Sequence, residues 1–184
     1  FFEPPPSEIH KTENEITKSE KDSSPSIEVK DTESTVSRTE VISNVKRIKI
    51  ENSNIKGSIS LRGAIIDDIV FKNYNKELNG EERVVFLNPR NSVKEYYVET
   101  GWAAVGNKNI KLPVNDTVWE VKGNSTLKPN TPVTLQWDNN EGLIFTKKVE
   151  IDDKFLFKIT QSIKNNSNSA FQFYPYAQIT RNYK

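Results

Sequence analysis

The sequence predicts an all-β domain, a large sandwich or barrel of antiparallel sheets, preceded by a disordered leader. Three observations carry this. Apolar residues recur at every second position in run after run beyond Lys46. Short clusters of Asn, Asp, Ser and Gly separate the runs at hairpin spacing. No segment holds the i, i+3, i+4, i+7 spacing of an amphipathic helix over three turns.

Residues 1–45 form the leader. Glu3 to Asn44 is rich in Ser, Thr, Glu and Lys and contains no Trp, Tyr or Phe, and Pro4-Pro5-Pro6 is stiff and extended. Its isolated Ile and Val residues follow no period, so it cannot bury enough apolar surface to offset chain entropy and reads as a disordered linker. These 45 residues hold 10 acidic and 5 basic side chains, against 25 and 26 in the whole chain, so the remainder carries +6 beneath a total of +1. An acidic arm precedes a mildly basic body.

From residue 46 the strands follow in order. Ile48 and Ile50 alternate with Arg47, Lys49 and Glu51, and Asn52-Ser53-Asn54 turns the chain. Ile59 and Leu61 alternate with Ser58 and Ser60. Ala64 to Phe71 is a third strand with Asp67 and Asp68 inside it; neighbours on a strand point to opposite faces, so this pair marks a turn, a bulge or an edge rather than a convergent carboxylate site. Val84 to Leu87 is short and buried, and Tyr96 to Trp102 is rich in aromatics. A loop over Gly106 to Asn115 leads to a strand at Thr117 to Val121, and Gly123 to Asn130 is a turn region. Last comes the most regular stretch, from Pro132 to Arg181. Val133, Leu135 and Trp137 share one face; Leu143, Phe145, Val149 and Ile151 share the next, with Lys147 as the exception; Phe155, Phe157, Ile159 and Ile163 follow, then Phe171, Phe173 and Tyr174-Pro175-Tyr176. Asp138 to Gly142, Asp152-Asp153 and Asn165 to Ser169 are the turns, so the whole reads as an antiparallel meander with one wet face and one dry face.

The composition removes several chemistries. There is no cysteine, which excludes disulfides and thiolate metal sites, and the one histidine, His10, sits in the leader. Ser-His-Asp and Cys-His nucleophile sets therefore cannot form in the body. The seven glycines are scattered, with no phosphate-binding loop, and no calcium-loop spacing of carboxylates occurs. The body is read as having no catalytic residue, no cofactor and no metal. Its basic residues are interspersed with acids and form no run with interleaved aromatics, which argues against nucleic acid as a partner. Trp102, Trp119 and Trp137, with Tyr96, Tyr97, Tyr174 and Tyr176, could line a sugar or peptide groove, and Trp102, Trp119, Trp137, Tyr174 and Tyr176 are the first candidates for a groove or partner contact, against the commoner role of aromatics as sheet packing.

The order of motifs resembles one family. Ile59-Ser60-Leu61-Arg62-Gly63-Ala64-Ile65-Ile66-Asp67-Asp68 and the following Lys72 to Tyr74 resemble an early stretch of the large periplasmic domain of YidC, the bacterial membrane protein insertase of the YidC/Oxa/Alb family. Tyr96-Tyr97-Val98-Glu99-Thr100-Gly101-Trp102, Leu135-Gln136-Trp137-Asp138-Asn139, Asp152-Asp153-Lys154-Phe155 and Tyr174-Pro175-Tyr176-Ala177 with Arg181 are similar to later motifs of that domain, in the same order. The resemblance covers about Lys46 to Lys184, the N-terminal part of the domain. It implies a twisted antiparallel β-supersandwich like that of galactose mutarotases, cut short at its C-terminal side and leaving an unpaired sheet edge. The leader would then follow a first membrane span whose end is Phe1-Phe2, and the segment would face the periplasm, tethered to the inner membrane through spans outside this chain. The family's partners would be nascent membrane proteins and the Sec translocon, SecD/SecF and SecYEG. The resemblance implies a non-catalytic scaffold and partner-contact surface. A non-catalytic sugar- or peptide-binding sandwich is the alternative, and a mutarotase-type epimerase is disfavoured because that chemistry uses a histidine the body lacks.

Overall fold

The structure is a computed structural model that describes residues 36–106 and 109–182; the leader up to residue 35, including Phe1-Phe2 and His10, lies outside them. The described residues form one short helix, α1 (Arg38–Ser43), and eleven strands. These are β1 (Arg47–Glu51), β2 (Ile55–Ser60), β3 (Ile65–Asn75), β4 (Arg83–Leu87), β5 (Tyr96–Ala104), β6 (Glu120–Lys122), β7 (Thr126–Leu127), β8 (Val133–Asp138), β9 (Leu143–Ile151), β10 (Phe157–Asn165) and β11 (Phe173–Arg181). They make two open sheets. The larger runs β11-β5-β3-β2-β1-β7 with β4 also paired to β3, and the smaller runs β10-β9-β8-β6.

The two sheets share one core. Ile48, Ile50, Ile55 and Ile59 from the larger sheet meet Val133, Leu135, Leu143, Phe145 and Val149 from the smaller, all at most 3% exposed. Each such side chain contributes about 1.5–3 kcal/mol by leaving water. The alternation in β9 is complete: every odd residue from Leu143 to Ile151 is buried, Lys147 among them.

Two connections hold the sheets in register. Trp119 donates its backbone N–H to Leu61 O at 2.9 Å beside the β2–β3 turn, and the next residues pair with β8, so this segment crosses from one sheet to the other. Asn52 in the β1–β2 turn donates from Nδ2 to Asp152 O and Lys154 O, each at 2.9 Å, which ties the β9–β10 turn across the sandwich. Asp152 closes that turn by accepting from the backbone of Lys154 and Leu156.

The structure departs from the sequence reading at four places. The meander holds for β8, β9 and β10, but β11 leaves the smaller sheet and pairs with β5 over nine residues, from Phe173↔Ala104 to Arg181↔Tyr96. Periodicity fixes which face is dry and not which strand is the partner. Pro175, which has no N–H to give, stands in this outermost strand, where such a residue is tolerated. Two residues carry no period, so the sequence predicts only a turn at β7; Leu127 is nonetheless fully buried, and β7 pairs in parallel with β1.

The third difference concerns Asp67 and Asp68, which do not point to opposite faces. Ser58 opposes Asp68 while Ile59 opposes Ile66, so Asp67 is the extra residue of a β-bulge, one of the three roles the sequence allowed. The bulge brings both carboxylates into one buried network: Arg47 pairs with Asp67, Arg38 pairs with Asp68, and Ser58 Oγ accepts from Arg47 Nε at 2.7 Å while donating to Asp68 Oδ2 at 2.6 Å. The fourth is α1, which falls inside the stretch read as linker. Ser37 caps it by accepting from Glu40 N, Arg38 anchors it to Asp68, and Val36 O accepts from Val93 N. A local cap and two tertiary contacts order a segment whose own sequence has no helical stripe.

Candidate functional site

Two features stand out: a small polar cavity where the larger sheet splits, and a row of aromatic rings that joins β3, β4 and β5 to the β9–β10 turn.

The split lies between β3 and β5, which share the single pairing Ile66↔Val98. Beyond it the chain before β3 turns at Gly63 (φ +78°) and Ala64 (φ +52°), a conformation that suits glycine at the first of the two. The cavity, about 10 Å³, is lined by Gly63, Glu99, Thr100, Gly101, Pro113, Val114, Asn115, Trp119, Lys147 and Tyr176. Lys147 reaches into it from β9. Its Nζ donates to Thr100 O at 2.6 Å and to Gly63 O at 3.5 Å, and lies 5.0 Å from the Trp119 ring centre and 5.9 Å from that of Trp102. Carbonyl oxygens and ring faces thus replace water around a side chain only 2% exposed. Burial lowers the Lys147 pKa from the usual 10.5 to about 8, with Glu99 opposing the shift. Across the cavity Tyr176 lies over Gly101, where a Cβ would stand 2.5 Å from the tyrosine hydroxyl, so a side chain there would displace the Tyr176 ring. Burial raises the Tyr176 pKa, and Glu99 adds to the effect.

The lowered lysine gives a pH signature. The unfolded chain binds a proton on Lys147 up to the usual value, while the folded chain releases it near pH 8, so folding is penalised by this group below pH 8 and the penalty fades as pH rises. Lys147→Met keeps most of the volume without the charge. The stability of that variant relative to the wild type is expected to be greatest at and below pH 8 and to fall as the pH approaches 10, as read by urea unfolding at each pH.

The second feature runs along the mouth of the sandwich. Phe155, just after β9, packs against Phe71 on β3 (5.7 Å between ring centres); Phe71 stacks on Phe86 of β4 (5.1 Å); Phe86 meets Tyr96 of β5 (5.5 Å); and Arg181 of β11 lies 4.9 Å from the centre of the Tyr96 ring. Tyr74 joins at Phe71 (5.6 Å). The Asn52 clamp described above sets the β9–β10 turn and hence Phe155. Phe71, Tyr74, Val84 and Phe155 line a groove of about 350 Å³. Tyr74 is 55% exposed, Phe86 44%, Phe155 46% and Leu156 69%, a concentration of apolar surface that scattered surface residues do not produce.

The five aromatics singled out from the sequence do not come together on one surface. Trp102 and Trp119 stack in the core at 6.3 Å, at 6% and 2% exposure. Trp137 is half-buried against Phe145, with Lys111 Nζ 5.9 Å from its ring centre. Tyr176 belongs to the polar cavity, and Tyr174 is exposed on β11. Of the residues that do form a surface, Tyr96 is a groove candidate from the sequence, while Phe71, Tyr74, Phe86 and Phe155 carry no such signal. Nothing in one strand's period tells how far the opposite sheet extends. Lys147 was visible as a charge in a dry phase; Glu99 carried no signal.

Among the described residues no group of three or more His, Cys, Asp or Glu side chains is placed to hold a metal ion, and no helix is long and apolar enough to cross a membrane.

The sequence profile of the YidC periplasmic domain matches residues 47–184. The chain is 44% identical over 183 residues to the membrane protein insertase YidC of Pelagibacter ubique (strain HTCC1062), an alignment that covers 99% of this chain and 33% of that protein. It is 40% identical over 141 residues to the protein of the same name from Jannaschia sp. (strain CCS1), covering 76% of this chain and 22% of the relative. It is 40% identical over 147 residues to that of Methylorubrum extorquens (strain PA1), covering 79% and 23%. The chain thus spans a third or less of these relatives.

Proposed function

Because the chain belongs to the YidC periplasmic domain family, we propose that it is the periplasm-facing part of an inner-membrane protein insertase and acts there as a partner-contact surface. The observation that carries this reading is the exposed aromatic row at the mouth of the sandwich. Its rings are large and apolar and pack on one another across β3, β4, β5 and the β9–β10 turn, properties of residues that dominate protein interfaces. Members of the Sec translocon, SecD/SecF and SecYEG, and nascent membrane proteins are the partners this reading assigns. The β domain of residues 46–184 is then a scaffold, residues 1–45 a linker to a membrane span, and catalysis has no part in its role.

The groove also supports a second reading, a non-catalytic peptide- or sugar-binding sandwich, since about 350 Å³ is the lower end of a small-molecule site. Its purely aromatic and aliphatic lining favours an apolar peptide segment over a sugar, which needs polar partners for its hydroxyls.

The test uses the full-length insertase carrying Tyr74→Ser, Phe155→Ser and Leu156→Ser together. All three side chains are largely exposed, so the melting temperature is expected to stay within a few degrees of the wild type. Affinity for Sec translocon components is expected to fall at least about tenfold. Unchanged affinity in a well-folded triple variant would remove the proposed contact. Quenching of tryptophan fluorescence by a sugar, with translocon binding intact, would favour the second reading.

A further inference from the structure

The polar cavity at the β3–β5 split contains hydrogen-bonding groups whose needs match one another. Glu99 is 9% exposed, and its Oε2 is buried without a hydrogen-bond partner; Trp119 is 2% exposed, and its indole N–H is likewise buried without one. The Lys147 ammonium has three N–H donors and two carbonyl acceptors, Thr100 O and Gly63 O. Tyr176 closes the cavity with a hydroxyl that can give or take a proton. Leaving a buried acceptor and a buried donor unsatisfied would cost several-fold to a hundredfold in the folding equilibrium for each. All four residues line one space of about 10 Å³, the volume of a single water-sized sphere.

From this geometry we infer that the cavity is a binding site for one structural water, which accepts from Lys147 Nζ and Trp119 Nε1 and donates to Glu99 Oε2 and the Tyr176 hydroxyl. Size and charge both select water. Sugars and carboxylic acids are many times too large. A chloride would meet the Glu99 carboxylate, and an ammonium or sodium ion would meet the Lys147 ammonium, at distances where like charges in a buried setting repel strongly. A neutral molecule with two donors and two acceptors matches the four groups.

The water occupies a structural position as well as a chemical one. β3 and β5 share one pairing, Ile66↔Val98, and then separate around Gly63 and Thr100. Lys147 bridges their backbones from the smaller sheet, and the water extends the bridge to Glu99 and to Tyr176 of β11. The β2–β3 turn and two strands of the larger sheet, β5 and β11, are then joined to β9 of the smaller where the ladder between β3 and β5 has stopped. Removing an interior water of this kind is costly, so it is held on a time scale far longer than that of a surface water.

The test is a crystal structure of the full chain at about 1.5 Å resolution. The expected result is one fully occupied water within hydrogen-bonding distance of Glu99 Oε2 and Trp119 Nε1, lost or at most half-occupied in Trp119→Phe and retained in Glu99→Gln, which keeps an acceptor oxygen. A dry cavity, a direct bond between Glu99 and Trp119, or an ion in the site overturns the inference. Should Trp119→Phe fail to fold, Glu99→Leu replaces it, with loss of the water expected. Where crystals are not obtained, the Trp119 indole N–H is read by NMR: a cross-peak to a long-lived water supports the site, and its absence overturns it.

Discussion

Arg47→Ala is expected to lower the unfolding free energy by about 3–5 kcal/mol, the range for stripping one partner from a buried ion pair. The Arg47 side chain is 8% exposed and that of Asp67 5%, so the variant leaves a carboxylate in the bulge with little water to solvate it. Ser58 would also lose the Arg47 Nε donor. Burial already pushes the Asp67 pKa above the usual carboxylate value, and Arg47 is the first influence pulling it back. Without that guanidinium, protonation sets in at higher pH. The sign follows: a carboxyl whose folded pKa is raised takes up a proton more readily in the folded than in the unfolded chain, so acidification relieves its penalty. The gap between wild type and variant is therefore widest near neutrality and narrows as the pH falls toward the carboxylate range. Urea unfolding at neutral pH and again near pH 5 measures both quantities. A loss below about 1 kcal/mol at neutrality would mean that the bulge network is solvated in solution.

Phe145→Ala is expected to cost a similar amount, about 3–5 kcal/mol, through a different mechanism. Phe145 is fully buried at the centre of the sandwich, 5.2 Å from Trp102, 5.6 Å from Trp137 and 6.1 Å from Phe173, measured between ring centres. It is the point where β5, β8, β9 and β11 meet, so truncation opens a void that three rings cannot collapse into without leaving their own strands. The expected signature is a lower urea midpoint with an unchanged slope. Phe145→Leu, which keeps most of the volume, is expected to lose less than half as much. Equal losses from the two substitutions would place the cost in ring–ring geometry rather than in the void.

These two sites also show what a sequence can and cannot carry. Phe145 was legible: it stands in phase with Leu143, Val149 and Ile151, and a period of two assigns it to the dry face. The all-β class and ten of the eleven strands were legible for the same reason. Arg47 and Asp67 were not, because the bulge depends on how β2 and β3 slide against each other, and nothing in either strand records the slip. β11 is legible as a strand, but its move to the larger sheet is not, since pairing is decided by contacts 69 to 85 residues apart, from Phe173↔Ala104 to Arg181↔Tyr96. The motif order identified the family where the residue chemistry alone reached only a sandwich or barrel.

The candidate site follows the same logic. Trp102 and Trp119 drew notice as tryptophans, and both went to the core, where a large ring leaves water most completely. Phe71, Phe86 and Phe155 drew none individually. They form a surface because the fold brings the rings of β3, β4, β5 and the β9–β10 turn together, a property of the assembled sheets and of no single segment. Lys147 was anomalous in its strand, and the structure supplies the reason: two carbonyl oxygens and two indole faces surround it.

The most direct test of the account is photo-crosslinking in living cells from position 155 of the full-length protein, with a benzophenone side chain in place of Phe155 and position 62, beside the polar cavity, as the control. The account predicts crosslinks from position 155 to a second polypeptide of the inner membrane and few from position 62. Crosslinks from position 155 confined to the protein's own chain would contradict it.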